Sequence, residues 1–128
     1  MRLLLDTHAF LWWNEASPKL SRSARRWLSD PDNQLYLSVV SAWEMALKVQ
    51  SGKLGLPTSV SVYIAARLNH YGIEPLAVSL GHVLASSALP PYHRDPFDRM
   101  LVAQAQVEEL TIVTHDSQVR KYAVETVW

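Results

Sequence analysis

The stretch Leu3-Leu4-Leu5-Asp6-Thr7, near the start of the chain, decides the fold class. Three consecutive leucines are typical of a strand that is buried on both faces, as in a parallel sheet. Asp6 ends this apolar run, and a carboxylate without partners is costly to bury. We therefore expect a parallel sheet whose first strand places an acid at its carboxyl end.

Four further segments have the composition of short strands. They are residues 35–38, 75–78, 111–114 and 124–127. Helical patterns lie between the strands, at residues 7–13, 20–28, 40–51, 59–71, 79–88 and 96–109. Strands that alternate with helices predict crossover connections, and therefore an α/β fold with a parallel sheet covered on both faces.

The composition is that of a globular protein, and it excludes several kinds of site. With 48% hydrophobic and 19% charged residues, the chain is expected to form a single domain over residues 1–128. The absence of cysteine excludes disulfides and thiolate zinc sites. The 12 basic and 12 acidic residues cancel, which argues against binding nucleic acid by bulk electrostatic attraction. Since no apolar run approaches the roughly 20 residues of a membrane span, we expect an intracellular, cytoplasmic chain, complete from Met1, without a membrane partner.

Four acids fall near the predicted carboxyl ends of the strands. Asp6 closes the first strand, and Glu44 lies one turn into the helix after the second. Asp98 opens the helix that leads to the fourth strand, and Asp116 follows that strand by two residues. Ligands of open parallel sheets bind beyond the carboxyl ends of the strands, so these acids are the candidate site.

Each acid also has an ordinary explanation as a helix cap. Asp6 precedes a predicted helix, and Asp116 precedes a helix predicted over residues 117–123. Glu44 lies three residues after a serine, which is the spacing of a capping box. Asp98 is the acid at the third position of a typical helix start, in which Asp95 is the cap and Pro96 the first helical residue. A module without catalytic activity, whose acids serve only as caps, therefore stays open as an alternative.

Taken together, the acids favour a metal site. Carboxylates that converge in one cleft repel each other, and a divalent cation removes that penalty. Carboxylates without cysteine suit Mg²⁺ or Mn²⁺, and such a site suits phosphodiester hydrolysis. Another metal-dependent phosphoryl hydrolase is an alternative, although Asp6-Thr7-His8 lacks the second aspartate of an aspartyl-phosphate phosphatase.

Four motifs in this order resemble a known family. They are Leu3-Leu4-Leu5-Asp6-Thr7, the Ser-x-x-Glu pattern from Ser41 to Glu44, His93-Arg94-Asp95-Pro96-Phe97-Asp98-Arg99, and Thr114-His115-Asp116. The sequence resembles the PIN-domain nucleases, and within them the VapC-type toxins of bacterial toxin–antitoxin pairs. The resemblance covers nearly the whole chain, but residues 56–92 carry no motif of the family.

The resemblance implies a fold, an activity and partners. The fold would be a PIN-like three-layer α/β/α sandwich with a central parallel sheet of four to five strands. The activity would be that of a Mg²⁺-dependent endoribonuclease, with Mn²⁺ as a substitute, acting on an RNA substrate. A cognate antitoxin protein and a homodimer would be the partners. A solitary PIN-type RNA-processing nuclease is the alternative within the family.

The resemblance also assigns roles to the acids. Asp6, Glu44, Asp98 and Asp116 would form the catalytic site. Asp6 and Asp98 would be the main metal ligands, and Asp116 would bind the metal directly or through water. Glu44 would orient the attacking water or hold a second ion.

Five further residues are candidates for supporting roles. Thr7 and Thr114 would supply hydroxyls that support the acids, as the resemblance implies. Asp95 is first a helix cap, with a role behind the metal ligands as the alternative. Arg94 and Arg99 flank Asp98, so each is expected to hold a phosphate, to pair with an acid, or to do both.

A basic cluster precedes the second strand. It consists of Lys19, Arg22, Arg25 and Arg26. These side chains form either an ordinary solvated helix face or a contact with the RNA backbone.

Histidines and tryptophans near the acids have no single assignment. His8, His93 and His115 adjoin the acids, but their spacing matches no zinc signature, and supporting or structural roles are expected. For Trp12 and Trp13, the core, a dimer contact and a partner groove all stay open.

Overall fold

A five-stranded parallel sheet runs through the molecule. The computed structural model describes residues 1–128. The strands are β1 (Arg2–Leu5), β2 (Gln34–Ser38), β3 (Glu74–Leu76), β4 (Thr111–Val113) and β5 (Thr126–Val127). Their order across the sheet is β3-β2-β1-β4-β5, and every neighbouring pair is parallel. The predicted α/β fold with a parallel sheet of four to five strands is confirmed.

Six helices connect or flank the strands. They are α1 (Thr7–Asn14), α2 (Arg22–Ser29), α3 (Val39–Gln50), α4 (Val60–Tyr71), α5 (Leu80–Ser87) and α6 (Pro96–Glu108). None of them combines the length and the apolar character that crossing a membrane requires.

Several predicted bounds differ from the structure. The third strand is Glu74–Leu76 rather than residues 75–78, and the fifth is Thr126–Val127 rather than residues 124–127. The exposed proline of the third strand lies in an edge strand, which pairs with one neighbour only, so its missing N–H leaves no second strand unpaired. The helix predicted over residues 117–123 is a single 3₁₀ turn, Val119–Lys121. It stops because Tyr122 is extended and buries its ring.

The three leucines of β1 divide between two apolar cores. Leu3 and Leu5 belong to the core that packs beneath α1, α2, α3 and α4. Leu4 points to the other face, where it belongs to the core formed with α6. All three side chains are fully buried, because alternate residues of a strand face opposite sides of the sheet.

The sheet has its topological switch point between β1 and β4. The chain runs outward from β1 through β2 to β3, then crosses back to β4 on the other side of β1. The backbone N–H of Asp6 donates to Val113 O over 3.1 Å, which ties the carboxyl ends of β1 and β4 together. The crevice beyond these two ends is where an open α/β sheet binds its ligand.

Replacement of one valine in the core tests the packing. Val102 in α6 is fully buried, whereas Val62 in α4 is 57% exposed. We expect Val102→Ala to lower the free energy of unfolding by about 2–3 kcal/mol, because it removes two methyl groups and leaves a cavity. Val62→Ala is the matched control and should change the unfolding free energy by less than about 0.5 kcal/mol. Equal effects of the two substitutions in denaturant titrations would contradict this packing.

Candidate active site

Three aspartates cap helices or turns with one oxygen each. Asp6 Oδ1 accepts from Ala9 N over 2.6 Å at the start of α1, and Asp95 Oδ1 accepts from Phe97 N over 2.8 Å at the start of α6. Asp116 Oδ1 accepts from the backbone N–H groups of Gln118 and Val119. The predicted caps are therefore present. Because each cap uses Oδ1, capping does not occupy the second carboxylate oxygen.

Glu44 is not part of a capping box, so that prediction is wrong. Helix α3 begins at Val39, and its cap is Ser38, which leaves Glu44 inside the helix. The carboxylate of Glu44 is buried, and its Oε1 accepts a hydrogen bond from the Thr7 hydroxyl over 2.7 Å. Its Oε2 lies 2.8 Å from Lys48 Nζ, one turn further along the helix. These two contacts fix the orientation of Glu44.

An imidazole lies between two of the acids. His93 Nε2 is 3.1 Å from Asp98 Oδ2 and 3.0 Å from Asp116 Oδ2. His93 Nδ1 accepts from the backbone N–H of Asp95 over 3.1 Å, so a neutral ring carries its proton on Nε2 and donates it to the carboxylates. One ligand atom from each of the three side chains lies within 4.8 Å of the others.

The pKa values show that the predicted acids influence each other. The pKa of Asp98 is raised to about 7, mainly by burial and next by the charge of Asp95; His93 opposes the rise, and Glu44 and Asp116 add to it. Burial also raises the pKa of Asp6, against a hydrogen bond from Thr114, and the charge of Asp116 adds to that rise. The structure therefore places Asp116 within electrostatic reach of both Asp6 and Asp98, and Glu44 within reach of Asp98.

Asp116 differs from Asp6 and Asp98 in the direction of its pKa shift. Burial acts to raise its pKa, but the hydrogen bond from His93 and those from the backbone N–H groups of Val119 and Gln118 outweigh it. The pKa of Asp116 is consequently lower than usual, and this carboxylate stays ionised where Asp98 takes up a proton.

The donor set of the cleft fits a divalent cation of the Mg²⁺ or Mn²⁺ type. Lys48 is the only lysine or arginine with its nitrogen within 4.0 Å of a carboxylate oxygen, and it pairs with Glu44 alone. The remaining acids have no such cation beside them, and carboxylate oxygens are the ligands that these metals prefer. The tightest group, however, contains His93 with Asp98 and Asp116, and not Asp6.

Sequence reasoning missed the central place of His93. Its position depends on the turn before α6, where the Asp95 N–H fixes the ring. Neither periodicity nor spacing reports such a turn. The only signal in the sequence is that His93 lies two residues before a capping aspartate.

The predicted supporting residues have different surroundings. Thr7 binds Glu44, and its Oγ1 also lies 3.0 Å from Ser41 Oγ. The Thr114 hydroxyl accepts from Asp116 N over 3.0 Å and, as noted, hydrogen-bonds with Asp6. These two threonines thus connect the acids of different strands and helices.

The two arginines beside Asp98 do not pair with an acid. Arg99 donates to backbone carbonyl oxygens between residues 86 and 93, and thereby holds the segment before α6 against that helix. Arg94 is exposed and makes no ion pair. Of the two, only Arg94 has a guanidinium that is free for a phosphate.

Three residues of the basic cluster lie on helix α2, and Lys19 precedes that helix. Arg22, Arg25 and Arg26 line a shallow surface pocket together with Ser29. None of these guanidiniums lies within 4.0 Å of a carboxylate oxygen.

A parallel sheet with acids beyond the carboxyl ends at its switch point defines an α/β protein with a candidate metal-binding cleft. The family model for the PIN domain matches residues 3–125, and the chain belongs to the PIN-domain family. It is 27% identical over 123 residues to Ribonuclease VapC22 of Mycobacterium tuberculosis, a match that covers 94% of this chain and 91% of that protein.

Solved structures show the same fold at low sequence identity. One is VapBC2 from Rickettsia felis bound to a DNA fragment from its promoter, with a TM-score of 0.70, 14% identity, and coverage of 99% of this chain and 98% of that chain. Another is a toxin–antitoxin complex from Klebsiella pneumoniae, with a TM-score of 0.66, 18% identity, and coverage of 98% and 96%. The PIN-like fold inferred from the motifs is confirmed.

The raised pKa of Asp98 predicts how stability depends on pH without metal. The folded protein holds a proton on Asp98 up to about pH 7, whereas the unfolded chain releases it near 3.8. The contribution of Asp98 to stability is therefore fully present below pH 3.8 and is lost as the pH rises to about 7.

Thermal unfolding in EDTA measures this effect. We expect the melting temperature of Asp98→Asn, relative to wild type, to rise as the pH increases from about 4 to about 7, because the amide cannot ionise. Asp32→Asn, which changes an exposed aspartate between α2 and β2, is the matched control for the loss of one carboxylate. A constant difference for Asp98→Asn would contradict the prediction.

Proposed function

We propose that this chain is a metal-dependent endoribonuclease and the toxin of a toxin–antitoxin pair, with residues 1–128 forming one PIN-like domain that acts in the cytoplasm. The observation that carries the proposal is the convergence of four acids beyond β1 and β4, where burial raises the pKa of Asp98 to about 7. The ribonuclease relative supports RNA as the substrate.

The proposed metal ligands are Asp6, Asp98 and Asp116, with Mg²⁺ or Mn²⁺ as the ion. Such an ion supplies a Lewis acid for the phosphoryl oxygen and lowers the pKa of a water molecule. Glu44, whose two oxygens are oriented by Thr7 and Lys48, accepts a hydrogen bond from the attacking water. The chain thus provides both charge for the cation and a fixed acceptor for a proton.

The residues around the acids hold this arrangement in place. The His93 proton on Nε2 lies between Asp98 and Asp116 and keeps their oxygens together. Asp95 fixes the His93 ring through its backbone N–H and caps α6 through its side chain. Arg94, exposed beside the site, is the side chain that contacts a phosphate of the RNA strand.

Cleavage of total RNA tests the proposed activity. Wild-type protein should cut RNA in Mg²⁺ or Mn²⁺ and should not cut it in EDTA. Asp98→Asn should lower the rate by at least about tenfold to a hundredfold. Replacement of a residue that only supports a metal ligand already lowers metal affinity or activity by that factor. Asp32→Asn should cut at the wild-type rate, because that aspartate is exposed and precedes the amino end of β2, at the edge of the sheet opposite the acids.

Two results would overturn the proposed activity. Cleavage by wild-type protein in EDTA would exclude a role for a divalent cation. Turnover of small phosphomonoesters without cleavage of RNA would assign the cleft to a phosphatase-like hydrolase instead.

We also propose an antitoxin partner and a homodimer. The structure from Klebsiella pneumoniae is titled as a toxin–antitoxin complex, which supports the first. Exposed apolar side chains support the second, because Val39, Trp43 and Leu47 form a stripe at intervals of four residues on α3. Leu80 and Leu84 form a second stripe on α5, and both helices pack against α6.

A charge placed in the second stripe tests the homodimer. Leu84 is 59% exposed, so Leu84→Glu should leave the fold intact and convert a dimer to a monomer in light scattering. Val62→Glu is the matched control on α4, with 57% exposure, and should keep the wild-type mass. A monomeric wild-type protein, or a dimeric Leu84→Glu variant, would contradict the proposal.

A further inference from the structure

A row of four aromatic rings lies beside the acids and has no part in the proposed hydrolysis. The rings belong to His8, Trp12, Trp128 and His115, and we call them the aromatic row. Consecutive ring centroids are 5.3 Å apart for His8 and Trp12, 5.8 Å for Trp12 and Trp128, and 5.3 Å for Trp128 and His115. The two outer pairs are stacked, with interplanar angles of 22° and 29°.

The topology of the sheet places this row at the same edge as the acids. His8 lies in the first turn of α1, two residues after Asp6, and His115 directly precedes Asp116. Trp128 follows β5, which is parallel to β4, so it leaves the sheet at the same carboxyl edge as His115. The acids are therefore bordered by the two histidines that form the ends of the row.

The row is accessible, and its tryptophans are anchored. Trp12 and Trp128 are partly buried and pack against the apolar core, which fixes the middle of the row. His8 and His115 are exposed. Apolar packing thus explains the inner rings but gives no reason for two exposed imidazoles to be stacked on them.

The charge beside the row favours an anionic ligand. Lys19 Nζ lies 5.8 Å from the centroid of the Trp12 ring, and it has no carboxylate oxygen within 4.0 Å. Stacked aromatic faces with a lysine beside them are the combination by which proteins hold unpaired bases and the backbone of a single strand. An apolar peptide segment would gain nothing from this lysine.

We propose that the aromatic row stacks an unpaired base of the RNA strand, next to the nucleotide whose phosphate lies at the acids. This inference rests on the proposed function and adds to it a base-stacking subsite, formed by the aromatic row. A duplex keeps its bases stacked inside and offers no free face to the row. Lys19 contacts the backbone of the same strand.

The test compares two RNA probes in EDTA, where the proposed cleavage does not occur. One is a short single-stranded RNA of mixed sequence, and the other has the same backbone with abasic residues in place of the nucleotides. Wild-type protein should bind the first about fivefold or more tightly than the second, from the usual contribution of stacking one base on an aromatic side chain. His115→Ala and Trp128→Leu should bring the ratio of the two dissociation constants close to one.

A matched control uses a histidine at the opposite edge of the sheet. His70 is exposed near the end of α4, and its ring lies 4.7 Å from that of Tyr71. His70→Ala should keep the wild-type ratio, since α4 leads into the amino end of β3. His115 is exposed, so His115→Ala should keep the wild-type melting temperature and stay informative if Trp128→Leu proves unstable.

Three results would overturn the inference. They are no binding of either RNA by wild-type protein, equal binding of both, or a wild-type ratio in the folded His115→Ala variant. A wild-type ratio in His115→Ala would mean that the row does not stack a base and would favour a protein segment as its ligand.

The outcome is separate from that of the proposed function. Base preference in EDTA without cleavage in Mg²⁺ would refute the ribonuclease and keep the aromatic row as an RNA contact. Cleavage in Mg²⁺ without base preference in EDTA would support the ribonuclease and refute the aromatic row as an RNA contact.

Discussion

The burial of acids at the carboxyl end of an apolar sheet is the constraint on which the rest of the structure depends. Asp6 follows three fully buried leucines, so its carboxylate cannot reach bulk water without disrupting β1. The backbone N–H of Ala9 and the hydroxyl of Thr114 donate hydrogen bonds to it, yet burial still raises its pKa. The same conflict applies to Asp98, and a bound cation is the group that would resolve both.

The same aspartates cap helices or turns and form part of the acidic cleft, so a capping role and a role in a metal site do not exclude each other. A cap places an aspartate at the point where a chain leaves the sheet edge or begins a helix, and it uses only one oxygen. Asp6 and Asp116 are fixed in this way on opposite sides of the switch point, with the second oxygen of Asp116 turned to His93. Local helix chemistry therefore fixes the positions of side chains that the cleft needs.

Much of this was accessible from the sequence, because apolar runs and acids at strand ends are local patterns. The parallel sheet, the caps of Asp6 and Asp95, and the approach of the acids to one edge followed from them. The bridging position of His93 and the use of Arg99 as a clamp on backbone carbonyls did not, since both depend on the path of residues 86–95. The aromatic row also escaped prediction, because it joins three segments that are distant along the chain.

Titration calorimetry with Mn²⁺ is the direct test of whether the buried acids form a cation site. At pH 7 we expect binding to wild-type protein with release of protons, because part of the Asp98 population is protonated before the metal binds. The proton release appears as a binding enthalpy that varies with the ionisation enthalpy of the buffer. Asp98→Asn should bind at least about tenfold more weakly and without that variation. Equal affinity of both proteins for Mn²⁺, or no binding to the wild type, would show that these acids do not form a cation site.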